Sequence, residues 1–226
     1  MKDFEFYNLR MKDNLGKISR TANGIIDVSA SVTKKDFMLV KSGKAAEDIA
    51  YENVENALKF AYDNRERRFA SANEIGEFLK RIALLVNCGI VEEKYLFRSG
   101  ADSDKFPYAR IADINYVYDW FCEQIFNAFN NPETDYKLLA AFCEYTINCV
   151  GHFFTDGCSK ISMVMSAYVL MRADSDLPHY VTRDDYYNHI VFERQIPSRE
   201  NGIMKETDFS VFADYYKTLF YREDKE

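Results

Sequence analysis

The sequence predicts an all-α protein with one small β-hairpin. Apolar residues recur at three- and four-residue steps over most of the chain, which is the spacing of amphipathic helices. The stretch 92–110 instead combines a short β-prone run with a cluster of turn residues. Apolar residues make up 47% of the 226 residues and aromatic residues 15%, which is ample for a buried core.

Charge, apolar runs and cysteines exclude several classes of protein. The formal net charge of −7 argues against a non-specific nucleic-acid binder, which needs a basic surface. No apolar run approaches the roughly 18 residues of a membrane span. The first residues contain no apolar signal core, so we expect neither a membrane protein nor an exported one. The five cysteines are an odd number in mostly apolar contexts, which is typical of reduced thiols in a cytoplasmic protein.

The first 70 residues are predicted to form an N-terminal extension with one helix that packs on the core. Residues 1–40 show little periodicity, apart from a turn at Asn23-Gly24 and a β-prone run at Gly24–Val28. The stretch Lys44–Tyr62 carries a helical stripe of apolar residues. Residues 71–226 are predicted to form the main domain.

The main domain begins with a helix, a hairpin and a second helix. The run Ser71-Ala-Asn-Glu74 is a capping box, which marks the start of the first helix. The hairpin is predicted from the β-prone run Tyr95–Phe97, the turn cluster Ser99–Lys105 and the following Phe106-Pro107-Tyr108. The second helix is predicted over Ile111–Phe129, where apolar residues return to helical spacing.

Two strongly apolar helices then flank a polar loop. Apolar residues repeat at helical steps on both sides of the loop 152–160, so both helices are expected to be buried. Two further amphipathic helices are predicted at Asp184–Phe192 and Asp208–Tyr221. Three methionines in the helix after the loop are interpreted as core residues: Met163, Met165 and Met171.

The loop between the two buried helices contains the side chains of a phosphate site. Gly157 can adopt a positive φ, so the amides of Gly157–Lys160 can turn toward one anion at a helix N-terminus. Lys160 adds a positive charge, and Asp156 is a hard oxygen ligand suited to Mg²⁺. The imidazole of His152 can accept a proton from a hydroxyl that attacks the phosphate. Together these residues predict phosphoryl or nucleotidyl transfer.

The loop resembles the motif of the Fic/Doc (Fido-fold) family, which reads His-x-Phe-x-Asp/Glu-Gly-Asn-Gly/Lys-Arg-x-x-Arg between two core helices. The first half matches at four positions: His152, Phe154, Asp156 and Gly157. The second half departs from the motif at three positions: Cys158 stands at the asparagine, Lys160 at the first arginine and Met163 at the second. The absence of the last arginine is shared with the Doc branch, whereas the absence of the asparagine is not.

The resemblance covers residues 71–221 and implies a Fic-like helical bundle with a β-hairpin flap at about 92–110. It implies transfer of AMP, another nucleotide moiety or a phosphate from a nucleotide, with ATP foremost, to a protein hydroxyl. By resemblance, His152 and Lys160 are catalytic and Asp156 holds Mg²⁺. The nucleotide-binding residues are Gly157, Cys158, Ser159 and Lys160. A target protein would pair with the flap as an added strand, at Phe106, Pro107 and Tyr108.

A second hypothesis is a catalytically impaired Fic-fold protein that binds a nucleotide or a protein. Lysine and methionine cannot replace the bidentate phosphate contacts of two arginines. For Cys158 two interpretations stay open: a reactive thiolate at a helix N-terminus, or a small residue that tolerates the turn, which we favour. The stretch Ser42–Glu47 resembles the family's inhibitory Ser/Thr-x-x-x-Glu element, with a spacing of five instead of four. His179 and His189 are interpreted as surface or packing residues.

Overall fold

A computed structural model describes residues 2–18, 46–99, 107–190 and 195–221. Within these residues the chain forms eight α-helices and no β-sheet, so the predicted all-α class is confirmed. The helices are α1 (Phe4–Ile18), α2 (Ala46–Asp63), α3 (Ala72–Val86), α4 (Ile114–Phe129), α5 (Tyr136–Tyr145), α6 (Cys158–Arg172), α7 (Arg183–Asn188) and α8 (Glu206–Thr218). Shorter helical turns lie at Glu93–Tyr95 and Ile111–Asp113, which are 3-10 helices, and at Thr146–Gly151, which is a π-helix.

Helix α1 was not predicted, because two asparagines interrupt its apolar stripe. Asn8 and Asn14 are buried together with the apolar residues of the same face. The Asn14 side chain donates to the Pro178 carbonyl at 2.8 Å and accepts from the Tyr180 amide at 3.3 Å. Burial of a polar side chain needs such partners, which the periodicity of a sequence does not reveal. The β-prone run predicted at residues 24–28 lies outside the described residues.

The helix predicted at Lys44–Tyr62 is confirmed as α2. It packs against α3 and α6, and α1 packs against α2. The Asn53 amide group donates to the carbonyls of Val86 at 3.1 Å and Cys88 at 2.8 Å, so α2 satisfies carbonyl groups at the C-terminus of α3. The division of the chain at residue 70 stays a prediction. The side chain of Glu47, in the stretch that resembles the family's inhibitory element, lies outside those described.

The capping box at the start of α3 is confirmed. Ser71 Oγ accepts from the Glu74 amide at 3.4 Å, and the Glu74 carboxylate accepts from the Ala70 amide at 3.2 Å. The Glu74 amide is one of the donors that a helix start otherwise leaves unpaired, whereas the Ala70 amide belongs to the residue before the N-cap. The local sequence therefore determines where α3 begins.

The run predicted as the first strand of the hairpin is not a strand: Tyr95 ends the 3-10 helix Glu93–Tyr95, and the next residues form one isolated bridge with the polar loop. The Arg98 amide donates to the Phe153 carbonyl, and the Thr155 amide donates to the Leu96 carbonyl, each at 2.9 Å. Between these bonds Phe97 forms an antiparallel bridge with Phe154. Residues 100–106, including Phe106, lie outside the described residues, so the hairpin itself stays a prediction.

Helix α6 is the centre of the fold. All of its residues except Ser159 and Arg172 are buried, including the three methionines predicted as core. It packs against α2, α3 and α5, and α8 covers the other side of α5. Because α6 is enclosed on all sides, the loop that precedes it is anchored by the core.

Candidate functional site

The polar loop is bracketed by two left-handed residues. His152 follows the π-helical turn with φ 45° and ψ 51°, and Gly157 precedes α6 with φ 71°. A Cβ atom at Gly151 would lie 2.2 Å from the Phe153 ring, so the chain turns here more tightly than a side chain permits. The left-handed conformation of a non-glycine residue such as His152 is strained by about 1–2 kcal/mol.

The imidazole of His152 has a defined orientation. Its Nδ1 atom lies 2.9 Å from the Asn148 carbonyl oxygen, which can only accept a hydrogen bond. Nδ1 therefore carries the proton, and in the neutral ring the lone pair is on Nε2. The ring stacks on Tyr108, with centroids 4.2 Å apart and planes inclined by 7°. The structure thus brings together a predicted catalytic residue and a predicted flap residue.

Arg98 lies beside the same segment and was not found from the sequence. Its Nε donates to the His152 carbonyl at 3.0 Å, and its Nη2 donates to the carbonyls of Gly151 and Ala109. No spacing or motif distinguishes this arginine from the others in the chain. Only the fold shows that it contacts the loop.

Two phenylalanines anchor the loop in the core. Phe153 and Phe154 are fully buried, which agrees with the structural role predicted for Phe154. The Phe154 ring lies 5.3 Å from Phe97, and the Phe153 ring meets the Tyr118 ring edge-on at 5.1 Å. Tyr118 in turn donates to the Gly76 carbonyl at 2.6 Å. These contacts tie the loop to α3 and α4.

Asp156 and Gly157 form the turn into α6. The Asp156 Oδ1 atom accepts a hydrogen bond from the Gly157 amide at 2.6 Å. Asp156 is 8% exposed. The Asp156 carbonyl accepts from the side chain of Asn87 at 3.2 Å, a contact that the sequence did not indicate. The positive φ at Gly157 favours glycine, and a Cβ there would lie 3.1 Å from Val86 Cγ1, which is a tight contact.

The N-terminus of α6 presents the predicted phosphate-binding segment. Gly157 is the N-cap, and its carbonyl accepts the first helical bond from the Ile161 amide at 2.8 Å. The amides of Cys158, Ser159 and Lys160 therefore lie in the first turn, at the positive end of the helix dipole. Lys160 is 6% exposed, so the side chain is largely shielded from water.

The fold agrees with three solved structures. A Fic-domain-containing signalling protein from Bacteroides thetaiotaomicron matches with a TM-score of 0.62 and 14% identity, over 96% of this chain and 82% of that one. IbpAFic2 covalently tethered to Cdc42 matches with a TM-score of 0.62 and 12% identity, over 98% of this chain and 64% of that one. The protein has the Fic fold. A histidine-to-alanine variant of IbpAFic2 with adenylylated Cdc42 matches with a TM-score of 0.57 and 12% identity, over 98% of this chain and 71% of that one. No family model and no curated protein matches the sequence.

The Fic-fold loop of this chain differs from the motif mainly at buried positions. Cys158 is 4% exposed, and its Sγ donates to the Phe154 carbonyl at 3.3 Å. Burial raises the pKa of the thiol to about 12, which disfavours a thiolate. The buried position favours the small-residue interpretation over a reactive cysteine. Met163, at the second arginine position, is also buried in the core.

The donor atoms of the Fic-fold loop fit Mg²⁺ that is carried by a nucleotide. Among the described residues no group of three or more His, Cys, Asp or Glu side chains is arranged to hold a metal. Asp156 is a single carboxylate in the loop. Mg²⁺ in nucleotide-dependent enzymes commonly binds one or two carboxylates together with the substrate phosphates. Asp156 with a bound nucleotide would provide that set.

Two other regions of the surface lie outside the loop 152–163. Pro107 and Tyr108, the described part of the predicted flap edge, are half-buried next to the His152 segment. A separate cleft of about 400 Å³ lies between α3 and α4, and none of its lining residues belongs to the loop 152–163.

Across the described residues, no helix has both the length and the apolar character needed to cross a membrane.

Proposed function

We propose that this Fic-fold protein transfers AMP, another nucleotide moiety or a phosphate from a nucleotide, with ATP foremost, to a hydroxyl group of a protein. The observation that carries the proposal is the orientation of the His152 imidazole. Its Nδ1 atom is bonded to a carbonyl, so the Nε2 lone pair belongs to a fixed ring on the same loop as Asp156 and the α6 N-terminus. One segment would thus supply a base, a metal ligand and an anion site.

The anion site would hold the nucleotide phosphates. The first-turn amides of α6 point along the helix axis and favour an anion at its N-terminus. Lys160 would add one full positive charge in a site of low exposure, where charge interactions are stronger than in water. A bound phosphate would also remove the unfavourable interaction of this lysine with the positive helix end.

His152 would act as the general base. Its Nε2 would take the proton of the target hydroxyl while the hydroxyl oxygen forms a bond to phosphorus. The bond from phosphorus to the leaving group would break, which releases pyrophosphate in AMP transfer or the nucleoside diphosphate in phosphate transfer. Proton transfer of this kind contributes about 10²–10⁴ in rate. Mg²⁺ held by Asp156 and the phosphates would neutralise their charge.

A protein acceptor is supported by two observations. IbpAFic2, which shares the fold, is seen in complex with Cdc42 and with adenylylated Cdc42. In this chain Tyr108, at the edge of the predicted flap, stacks directly on His152. A target strand held at this edge would lie next to the proposed base.

A second candidate is a Fic-fold module that binds a nucleotide or a protein without turnover. It is favoured by Cys158 and Met163, which are packed into the core at positions where the motif carries polar phosphate ligands. Each lost hydrogen bond to a charged phosphate is worth about 1.5–3 kcal/mol. Two such losses would weaken nucleotide binding by several orders of magnitude.

One labelling experiment tests both candidates. The protein is incubated with Mg²⁺, a cell lysate and ATP, GTP or UTP carrying a label at the α- or γ-phosphate. Transfer of the α-label indicates a nucleotide moiety, and transfer of the γ-label alone indicates a phosphate. We expect labelling to disappear in His152→Ala and to persist in His189→Ala, which removes a similarly stacked imidazole elsewhere.

The outcomes separate the hypotheses. Absence of label together with a nucleotide-induced rise in melting temperature supports the binding module. Absence of both label and thermal shift contradicts the transferase and the nucleotide-binding module, and leaves a module that binds only a protein.

A further inference from the structure

The described residues include two non-glycine residues with a positive φ, and both have the same kind of support. These residues are His152 at φ 45° and Asp174 at φ 51°. The Asp174 carbonyl accepts from Lys2 Nζ at 2.8 Å, and the His152 carbonyl accepts from Arg98 Nε at 3.0 Å. Strained residues persist only where the surrounding structure determines their conformation. In each case a cationic side chain from a distant part of the chain holds the strained carbonyl.

Arg98 holds more than one carbonyl of the loop. Its guanidinium donates to the carbonyls of Gly151 and His152, and its own amide donates to the carbonyl of Phe153. Residue 98 thus contacts three consecutive carbonyl groups where the π-helical turn ends. The last carbonyls of a helical segment have no partner within it and carry a partial negative charge, so a cation there is stabilising.

The same guanidinium connects the loop to the residue next to Tyr108. Its Nη2 atom donates to the Ala109 carbonyl, and the Ala109 amide donates to the Val150 carbonyl at 2.9 Å. Tyr108 precedes Ala109 and stacks on the His152 ring. Arg98 therefore supports both the backbone of His152 and the backbone that carries its stacking partner.

We propose that Arg98 is a positioning residue, which holds His152 in its left-handed conformation and so fixes the direction in which the imidazole Nε2 points. The guanidinium suits this role because its five donors lie in one rigid plane and can bond several carbonyls at once. A lysine ammonium is a single point charge on a flexible chain and would hold fewer of them. That the positioned imidazole acts as a base rests on the proposed function, whereas the positioning itself does not.

The imidazole nitrogens provide a direct test without any assay of activity. The chain has three histidines, so long-range ¹H–¹⁵N spectra of the rings can be assigned by replacing each in turn. We expect the native protein to show His152 as a single tautomer with the proton on Nδ1. In Arg98→Gln we expect a mixture of tautomers at His152, because the ring no longer faces the Asn148 carbonyl in a fixed geometry.

His189 and Arg81 serve as matched controls. The Nδ1 atom of His189 lies 2.6 Å from the Asp185 carbonyl, and its ring stacks on Tyr215 at 4.0 Å. Its tautomer should be unchanged in Arg98→Gln, which excludes a general loss of structure. Arg81→Gln removes the same charge from an exposed site on α3 and should leave the His152 signals as they are.

The conservative variant keeps the test decisive if Arg98→Gln does not fold. Arg98→Lys retains the charge and should give an intermediate proportion of the Nδ1–H tautomer. A folded Arg98→Gln with the native His152 spectrum overturns the proposal. Where only the lysine variant folds, a native His152 spectrum in that variant overturns it as well.

Kinetics add a second readout that depends on the proposed function. In Arg98→Gln we expect kcat to fall about 100-fold, the effect of a misplacement near 1 Å. The KM for the nucleotide should change less than kcat, because Arg98 bonds the carbonyls of Gly151, His152 and Ala109 and so acts on the position of the imidazole. If the native protein transfers no label, the proposed function fails, while the spectra still decide the role of Arg98.

Discussion

Two histidines of this protein have nearly the same local surroundings. Each Nδ1 atom faces the carbonyl four residues earlier, at 2.9 Å in His152 and 2.6 Å in His189. Each ring stacks on a tyrosine, with centroids 4.2 Å apart for Tyr108 and 4.0 Å for Tyr215. The planes are inclined by 7° and 10°. By ring geometry alone the two residues are equivalent.

The backbone and the neighbouring groups distinguish them. His189 is the C-cap of the short helix α7 with an ordinary φ of −97°, and Tyr215 also donates to the Asp185 carboxylate at 3.0 Å. Its contacts are those of a packing residue, as the sequence interpretation proposed. His152 is left-handed and leads into Asp156 and the N-terminus of a buried helix. In both residues a carbonyl and a stacked tyrosine orient the imidazole, and only His152 lies on the loop for which we propose anion binding.

The largest effect is expected from removing one imidazole or the other. His152→Ala should lower the rate of label transfer by about 10²–10⁴, since it removes the general base. His189→Ala should change the rate by less than about threefold. Initial rates at saturating nucleotide measure both. An equal loss of transfer rate in the two variants would contradict the role of His152 as the base, because His189 lies outside the loop.

The next effect concerns Glu144, a buried carboxylate on α5, the helix that precedes the His152 segment. Tyr180 donates to its carboxylate, and Asn148, whose carbonyl faces His152, donates to the Tyr186 hydroxyl at 3.2 Å. Desolvation raises the pKa of Glu144 from 4.5 to about 7, although nearby hydroxyls oppose the shift. Between these values the folded state binds more protons than the unfolded state, so stability falls as the pH rises.

We expect ionisation of Glu144 to decrease the free energy of unfolding by about 3 kcal/mol between pH 5 and pH 8. Glu144→Gln keeps the shape and cannot ionise, so its stability should vary less with pH and exceed that of the native protein at pH 8. Urea unfolding at several pH values measures this. Glu123→Gln, at an exposed site on α4, should retain the native pH dependence. A Glu144→Gln profile parallel to the native one would exclude the shift.

A pair of glycines tests how tightly the loop beside His152 is packed. Gly157 and Gly89 have φ values of 71° and 72°, but a Cβ at Gly157 meets Val86 at 3.1 Å, whereas one at Gly89 meets nothing within 4 Å. Gly89→Ala should cost about 1 kcal/mol of stability through backbone strain. Gly157→Ala should cost about 1 kcal/mol more because of overpacking. Urea unfolding of both variants gives the difference, and equal values would indicate that Val86 moves aside freely.

The smallest effect is expected from the stacking partners. Tyr108→Leu and Tyr215→Leu should each lower stability by about 0.5–1.5 kcal/mol, the range for an aromatic pair. Each should shift the ring signals of its own histidine and leave the other unchanged. Thermal unfolding and the imidazole NMR spectra provide the measurements. An effect of Tyr108→Leu on His189 would show that the two regions are coupled.

Part of the site could be predicted from the sequence because its signals are local. The spacing of His152, Phe154, Asp156 and Gly157 indicated the loop, and Gly157 has the positive φ expected of it. Burial of Cys158 could not be predicted, because the environment of a thiol depends on which segments cover it. The same is true of Asn87, whose side chain holds the Asp156 carbonyl from the end of α3.

The sequence by itself determined the all-α class, the starts of helices such as α3 and the order of residues along the loop. These features arise from interactions among residues at most about four positions apart, so periodicity and capping patterns reveal them. The tertiary structure alone decided that α1 is a helix on buried asparagines, that residues 96–98 pair with the loop, and that Arg98 supports His152. Each of these depends on hydrogen bonds between segments distant in sequence, and a polar side chain does not reveal its distant partner until the chain has folded.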